Sequence, residues 1–300
     1  MATTTTWTGA VDGDWDTSGN WSNGVPNTDS TAIIDGSESI TGGSPASDQV
    51  ERVYVASTYT GAIGSSGTPL ELDVAQLSHS STSASATSYV DLTGSANQTP
   101  DVLIDGTFLS TPLVLSGVLN KVIIASGFLG TLLLGNGASF KSEITNLYML
   151  AGTVDASTAG NMDWQSGGEI VIRGGTLLLG DNIGEDGTLT MSDGTVTVSG
   201  WTEEDGDTFN IMGGTVSWNS GALLYTSQLA NTVKTINVYG GTFTLAGNSQ
   251  AYVALTDITQ YGGTVNLESG FANIEIIGDY DRFAGAYTPP KQSVVTTAAL

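Results

Sequence analysis

The single histidine is the first residue whose chemistry could support catalysis or metal binding. His79 lies in a Ser/Thr-rich stretch, Ser78 to Ser88, so a His-based triad would need partners from distant parts of the chain. One histidine is also too few for a typical catalytic zinc site. We therefore expect His79 to be an exposed loop residue without a catalytic role.

Two carboxylate clusters are the other candidates, because stacked carboxylates can cleave polysaccharides or bind calcium. Their members are Asp181, Glu185 and Asp186 in the first cluster and Glu203, Glu204, Asp205 and Asp207 in the second. Neither cluster has the spacing of a catalytic pair, an EF-hand or the nonapeptide calcium repeat. Their Gly and Asn neighbours are typical of turns. We predict solvated surface turns, with calcium binding as the alternative, and assign no catalytic, cofactor-binding or metal-binding residue. The protein is predicted not to be an enzyme.

An internal repeat indicates which elements must position any functional surface. A Gly-Thr step follows a short apolar segment eight times, with gaps of 24, 22, 23, 19, 20, 27 and 22 residues. The eight Gly-Thr steps begin at Gly106, Gly130, Gly152, Gly175, Gly194, Gly214, Gly241 and Gly263. Segments such as Ile170 to Leu177 read as strand, tight bend and strand, and Gly187-Thr188 is out of phase with the rest.

This period predicts an all-β fold, a right-handed parallel β-helix (β-solenoid) with about 22 residues per coil. An antiparallel sandwich is the main alternative, since it also combines short strands with glycine turns. Alternation places Arg173 and Lys234 outside the stack. Four apolar residues are expected inside it, namely Ile172, Ile211, Val238 and Leu267.

Three regions follow from the repeat. Residues 1–30 contain Trp7, Trp15 and Trp21 and are predicted to cap the first coil; residues 31–287 form the solenoid, with its regular coils at 101–280; residues 288–300 form an extended C-terminal arm. The remaining tryptophans are interpreted as packing or edge residues. They are Trp164, Trp201 and Trp218.

The charge of the chain restricts its partners. With 30 acidic and 7 basic residues, the formal net charge is −23, which disfavours contact with nucleic acid or an anionic membrane. The chain has no cysteine, and the segment Met1 to Trp7 has neither a basic region nor an apolar core, so we expect no export signal there.

The start of the chain resembles two groups of solenoid proteins. The shared elements are Trp7-Thr8-Gly9, Trp15, Asn20-Trp21-Ser22 and Gly24-Val25-Pro26, followed by the strand Ala32 to Gly36. One group comprises autotransporter-like bacterial surface proteins, and the other comprises bacteriophage virion proteins of the capsid decoration, cement or head appendage type. The motif covers about a tenth of the chain.

The resemblance, taken with the missing export signal, implies a phage structural protein. We expect a decoration, cement or vertex protein on the outer capsid, made in the host cytoplasm, with no cofactor. Its expected partners are the major capsid protein or other virion proteins and copies of itself, with a trimer favoured. Two alternatives stay open, a tailspike or receptor-binding protein that recognises or cleaves host polysaccharide, and an exported bacterial adhesin.

Overall fold

A computed structural model describes most of the chain. The described residues are 3–43, 50–81, 87–92, 99–106, 112–135, 142–157, 162–180, 187–199, 208–218, 232–245, 252–267, 273–276, 280–289 and 294–296. They form a parallel β-solenoid, and the helix in these ranges is a single 3₁₀ turn, Ser18–Asn20. The predicted all-β solenoid is therefore confirmed.

The strands are short, as the spacing of the glycines predicts. The first ten are β1 (Thr3–Thr6), β2 (Ser30–Ile34), β3 (Val50–Val55), β4 (Leu70–Glu71), β5 (Val74–His79), β6 (Ser88–Leu92), β7 (Asp101–Ile104), β8 (Leu113–Ile124), β9 (Thr131–Leu134) and β10 (Ser142–Met149). The next eight are β11 (Thr153–Ala156), β12 (Met162–Ile172), β13 (Thr176–Leu179), β14 (Thr188–Met191), β15 (Thr195–Val198), β16 (Thr208–Ile211), β17 (Thr215–Trp218) and β18 (Thr232–Val238). The last seven are β19 (Thr242–Leu245), β20 (Tyr252–Gln260), β21 (Thr264–Asn266), β22 (Asn273–Ile276), β23 (Tyr280–Arg282), β24 (Ala286–Thr288) and β25 (Val294–Thr296).

The chain divides into two compact units. The first contains residues 1–146 and 151–154, and the second contains residues 147–150 and 155–300. In the first unit, β1, β2, β3, β5, β7 and the second half of β8 pair in parallel, one strand per coil. The described residues between 31 and 75 therefore belong to coils of the first unit.

Two sheets of the second unit carry the regular coils. Strands β12, β14, β16, β18, β20 and β23 form one sheet, and β13, β15, β17, β19, β21 and β24 form the other, all paired in parallel. Each strand of four residues alternates half-buried and buried positions, so every second side chain enters the core. Ile172, Ile211, Val238 and Leu267 are fully buried, which confirms the predicted register.

The Gly-Thr step is the bend between the two sheets. Gly241 has φ of +67°, a conformation that favours glycine, and the N–H of Thr242 donates to the carbonyl of Gly214 in the preceding coil (2.9 Å). The Thr264 N–H donates in the same way to Gly241 (2.8 Å). The step at Gly187-Thr188 is out of phase because Thr188 begins β14, a strand of the other sheet.

Part of the predicted C-terminal arm, residues 288–300, lies within the described ranges. Its described residues include Val294–Thr296, and these form β25, which pairs in parallel with β22. This part of the arm therefore adds a strand to its own chain. An apolar, β-branched segment gains hydrogen bonds by continuing an existing sheet.

Candidate functional site

His79 is buried, so the prediction of an exposed loop histidine is wrong. It is the last residue of β5, and its side chain is 1% exposed. The register places it between Val55 and Ile104, in an inward column that Ile34 and Ile124 continue. This burial lowers the pKa of the imidazole to about 3, because the cation is poorly solvated there. His79 is thus a neutral core residue.

The two carboxylate clusters predicted from the sequence lie outside the described residues. In the parts of the chain that the structure covers, no three His, Cys, Asp or Glu side chains lie close enough together to hold a metal ion. Arg173 is exposed, as its alternation phase predicts, whereas the side chain of Lys234 is outside the described set. The same holds for the side chain of Trp164 and for Trp201. Trp218 is buried at 2% exposure beside Phe209, with ring centroids 6.0 Å apart.

The N-terminal tryptophans form one packed cluster. Trp7, Trp15 and Trp21 are 2%, 0% and 4% exposed. The rings of Trp7 and Trp15 both meet the ring of Trp21 edge to face, with centroids 5.2 and 4.6 Å apart. This packing fits the predicted role as a cap and leaves little ring surface for a ligand.

Polar residues of the same segment hold its loop in place. The amide of Asn20, which is fully buried, accepts hydrogen bonds from the N–H groups of Val11 and Asp12 and donates to Asp12 and to the carbonyl of Asp14. The hydrogen bonds that Asp12 accepts from Asp14 and Asn20 lower the pKa of its carboxyl group. The sequence pattern alone did not identify this network, because it links residues through a loop.

One sheet of the second unit presents an ordered array of hydroxyl groups, here called the threonine face. Its first outward column, at the start of each strand, consists of Thr176, Thr195, Thr215, Thr242 and Thr264. Its second column, two residues along each strand, consists of Leu178, Thr197, Ser217, Thr244 and Asn266. All ten side chains are half-buried and uncharged. The corresponding column of the other sheet contains Thr188, Thr208 and Thr235 between two carboxylates, Glu169 and Asp257.

Exposed apolar side chains form a strip along the bend that precedes the threonine face. Met212, Tyr239, Tyr261 and Phe283, the aromatic strip, are 54%, 46%, 46% and 71% exposed. The rings of Tyr239 and Tyr261 stack at 4.8 Å, and those of Tyr261 and Phe283 stack at 5.4 Å. Because successive coils superpose this position, the ring faces cover one another and the ring edges face solvent.

The first unit carries a groove on the outer surface of the sheet formed by β2, β3, β5, β7 and β8. This tyrosine groove has a volume of about 310 Å³. Its outward lining residues are Thr31, Arg52, Tyr54, Gln76, Ser78, Asp101, Leu103 and Ile123. The volume lies at the small end of the range for ligand sites, and a few polar groups around a mainly apolar lining are typical of such sites.

Except for Ser78, polar and apolar side chains lie in separate columns of the tyrosine groove. One column, in register, contains Thr31, Arg52, Gln76 and Asp101, and the neighbouring column contains Tyr54, Ser78, Leu103 and Ile123. Asp101 accepts a hydrogen bond from the Asn120 amide (2.7 Å) and lies 3.5 Å from the Lys121 ammonium. Sequence spacing alone does not reveal the groove. The lining residues of neighbouring coils are 20 to 25 positions apart in the sequence, and only the coil register brings them together.

Comparisons with known proteins give the chain no assignment. No protein-family model matches it, and no curated protein or solved structure matches it either. Within the part of the chain that the structure describes, no helix is long and apolar enough to cross a membrane. The fold and the surfaces above are therefore the basis for a functional conclusion.

Proposed function

We propose that the protein is a non-enzymatic structural component of a bacteriophage virion, a decoration, cement or vertex protein on the outer capsid surface, made in the host cytoplasm. The threonine face is the observation that carries this proposal. It offers a rigid docking surface of hydroxyl and methyl groups, which suits adhesion by shape and hydrogen bonding and involves no turnover.

The charge distribution supports docking through this face. In a chain with a net charge of −23, the strands β13, β15, β17, β19 and β21 present no charged side chain outward. A partner can approach the threonine face without desolvating a carboxylate, which would cost several kcal/mol per unpaired ion. The acidic remainder of the surface is repelled by packaged DNA, which favours a position on the outside of the particle.

The resemblance of the N-terminal motif supports the same assignment. The tryptophan cluster that carries this resemblance is buried and closely packed, which fits the predicted cap. We further propose a homo-oligomer, with a trimer favoured because capsids offer threefold positions. The aromatic strip is the surface that contact between copies would cover, since exposed apolar patches mark protein interfaces.

Binding to purified particles tests the proposal. The particles are virions of the phage whose genome carries the gene, from which the protein has been removed. Purified protein that is added back to these virions should sediment with them. The double variant Thr215→Glu and Thr242→Glu, which places two carboxylates on adjacent coils of the threonine face, should reduce the bound fraction at least tenfold. The matched control is Thr208→Glu with Thr235→Glu, on adjacent coils of the other sheet, which adds the same charge.

Two results would contradict the proposal. If the unmodified protein never sediments with particles, the virion assignment fails, and the polysaccharide-binding and adhesin alternatives take precedence. If both double variants lose binding equally, the threonine face is not the docking surface, because the added charge alone explains the loss.

A further inference from the structure

The tyrosine groove has features that its position in the stack does not require. Tyr54 and Leu103 are 38% and 36% exposed, so two large apolar side chains face solvent on the outside of a sheet whose core is complete without them. Arg52 and Gln76 are also exposed, beside the same groove. Neighbouring strands are about 4.8 Å apart, so the groove from β2 to β8 runs for roughly 19 Å along the stack.

The segregation of its two columns matches an amphipathic ligand. A sugar ring has C–H groups on its faces and hydroxyl groups around its edge. Tyr54, Leu103 and Ile123 provide apolar contact for the ring face. In the adjacent column, about 6.6 Å away along the strands, the Arg52 guanidinium donates, the Gln76 amide donates and accepts, and the Asp101 carboxylate accepts hydrogen bonds.

A peptide ligand fits this surface less well. Strands β2, β3, β5 and β7 are each paired on both sides, so their backbone groups are already used and cannot bind a further strand. Recognition in the groove must therefore come from side chains. A polysaccharide has hydroxyl groups that such side chains bind directly, and it carries no backbone amides that need a sheet edge.

The number of carboxyl groups that line the tyrosine groove favours saccharide binding without cleavage. Glycoside hydrolysis takes two carboxyl groups on opposite sides of the scissile bond. The described lining of the groove supplies one, Asp101, and this group is held by Asn120 and Lys121.

We infer that the tyrosine groove is a saccharide-binding site, which holds a short stretch of polysaccharide with a ring stacked on Tyr54 and its hydroxyl groups bound by Arg52, Gln76 and Asp101. This site is independent of the threonine face and does not require the virion assignment.

The test uses the full chain on an array of bacterial capsular polysaccharides and O-antigens, with neutral and acidic members, followed by calorimetry on the best neutral and acidic binders. The unmodified protein should bind at least one polysaccharide above background. Tyr54→Ala should weaken that binding about tenfold or more, because the ring contributes both apolar area and stacking. Tyr54→Phe should retain most of it, and Gln76→Ala should weaken it. Tyr89→Ala, which removes a half-buried tyrosine of the same unit that does not line the groove, should leave it unchanged.

The outcomes separate this inference from its competitors. Failure of the unmodified protein to bind any polysaccharide overturns it, and so does equal binding by Tyr54→Ala with an unchanged melting temperature. Release of reducing ends from the bound polysaccharide would replace the binding assignment with a hydrolase. Particle sedimentation of Tyr54→Ala should equal that of the unmodified protein, so failure here and failure of capsid docking are distinguishable.

Discussion

The indole N–H of Trp21 donates a hydrogen bond to the backbone carbonyl of Trp15, at 2.8 Å, while the two rings meet edge to face at 4.6 Å. The same ring thus binds the backbone of its neighbour and covers its side chain. This contact joins two residues of the loop between β1 and β2, and the Trp15 N–H donates in turn to the carbonyl of Gly42 (3.0 Å), which ties the loop to the segment after β2.

Removing one of these rings should destabilise the protein strongly. Because Trp15 is 0% exposed, Trp15→Ala is expected to lower the free energy of unfolding by about 3 to 5 kcal/mol. Denaturant unfolding followed by circular dichroism measures this loss. Val11→Ala, at a residue of the same segment that is 64% exposed, is the control and should have little effect. An unchanged midpoint for Trp15→Ala would show that the cluster is not a packing element.

The bends should tolerate substitution unequally. At Gly241, which has φ of +67°, an added Cβ would lie 2.7 Å from the carbonyl oxygen of Gly214 in the preceding coil. Gly241→Ala should therefore cost at least about 1 to 2 kcal/mol from the backbone conformation alone, with the clash in addition. Gly67 has open space around its Cβ position and no positive φ, so Gly67→Ala should change stability by less than about 0.5 kcal/mol. Equal effects of the two variants would contradict this account of the coil.

The buried histidine should make stability depend on pH. Its folded pKa of about 3 lies below the unfolded value of about 6.5, so above pH 6.5 both states are neutral and it contributes no slope. As pH falls from about 6.5 towards 3, the unfolded state binds a proton that the folded state does not, and stability falls by up to about 1.4 kcal/mol per pH unit.

His79→Leu should remove this part of the slope, measured by denaturant unfolding between pH 4 and 7. Since His79 is the one histidine of the chain, its imidazole resonance can also be followed directly by NMR. The resonance should stay that of the neutral ring down to about pH 4. Titration near pH 6.5 in the folded protein would place the ring in solvent and refute the burial.

The aromatic strip should control association between copies. Phe283→Ser removes its most exposed ring and is expected to shift the protein towards monomer in sedimentation equilibrium. Leu129→Ser is a matched control, because Leu129 and Phe283 are both 71% exposed. If Phe283→Ser and Leu129→Ser associate like the unmodified protein, contact between copies does not involve the strip.

The local sequence pattern was sufficient to predict the fold. Glycines before threonine, with alternating apolar residues on either side, predicted the bend and the inward positions of residues such as Ile172 and Val238, because each coil repeats the same local geometry. The surfaces were harder to predict. The tyrosine groove joins Arg52, Gln76 and Asp101 through strand register, and register depends on the whole stack.

The prediction for His79 was wrong because it relied on the composition of the surrounding residues. The Ser/Thr-rich sequence after it indicates a loop, but His79 is the last residue of β5, two positions after the buried Leu77, and this alternation turns the imidazole inward. Strand pairing with Val55 and Ile104 outweighs the local preference of a polar residue for solvent.

The coil lengths vary while the register of the threonine face does not. Successive threonines at its first column are separated by 19, 20, 27 and 22 residues, yet each pairs with the next. The longest of these coils, from Thr215 to Thr242, keeps the same register as the shorter ones. Since the register is kept by coils of different length, a coil lengthened by a foreign peptide or a small folded domain should keep it as well. The stack would then serve as a rigid display scaffold, with cargo projecting from one coil and the rest of the surface unaltered.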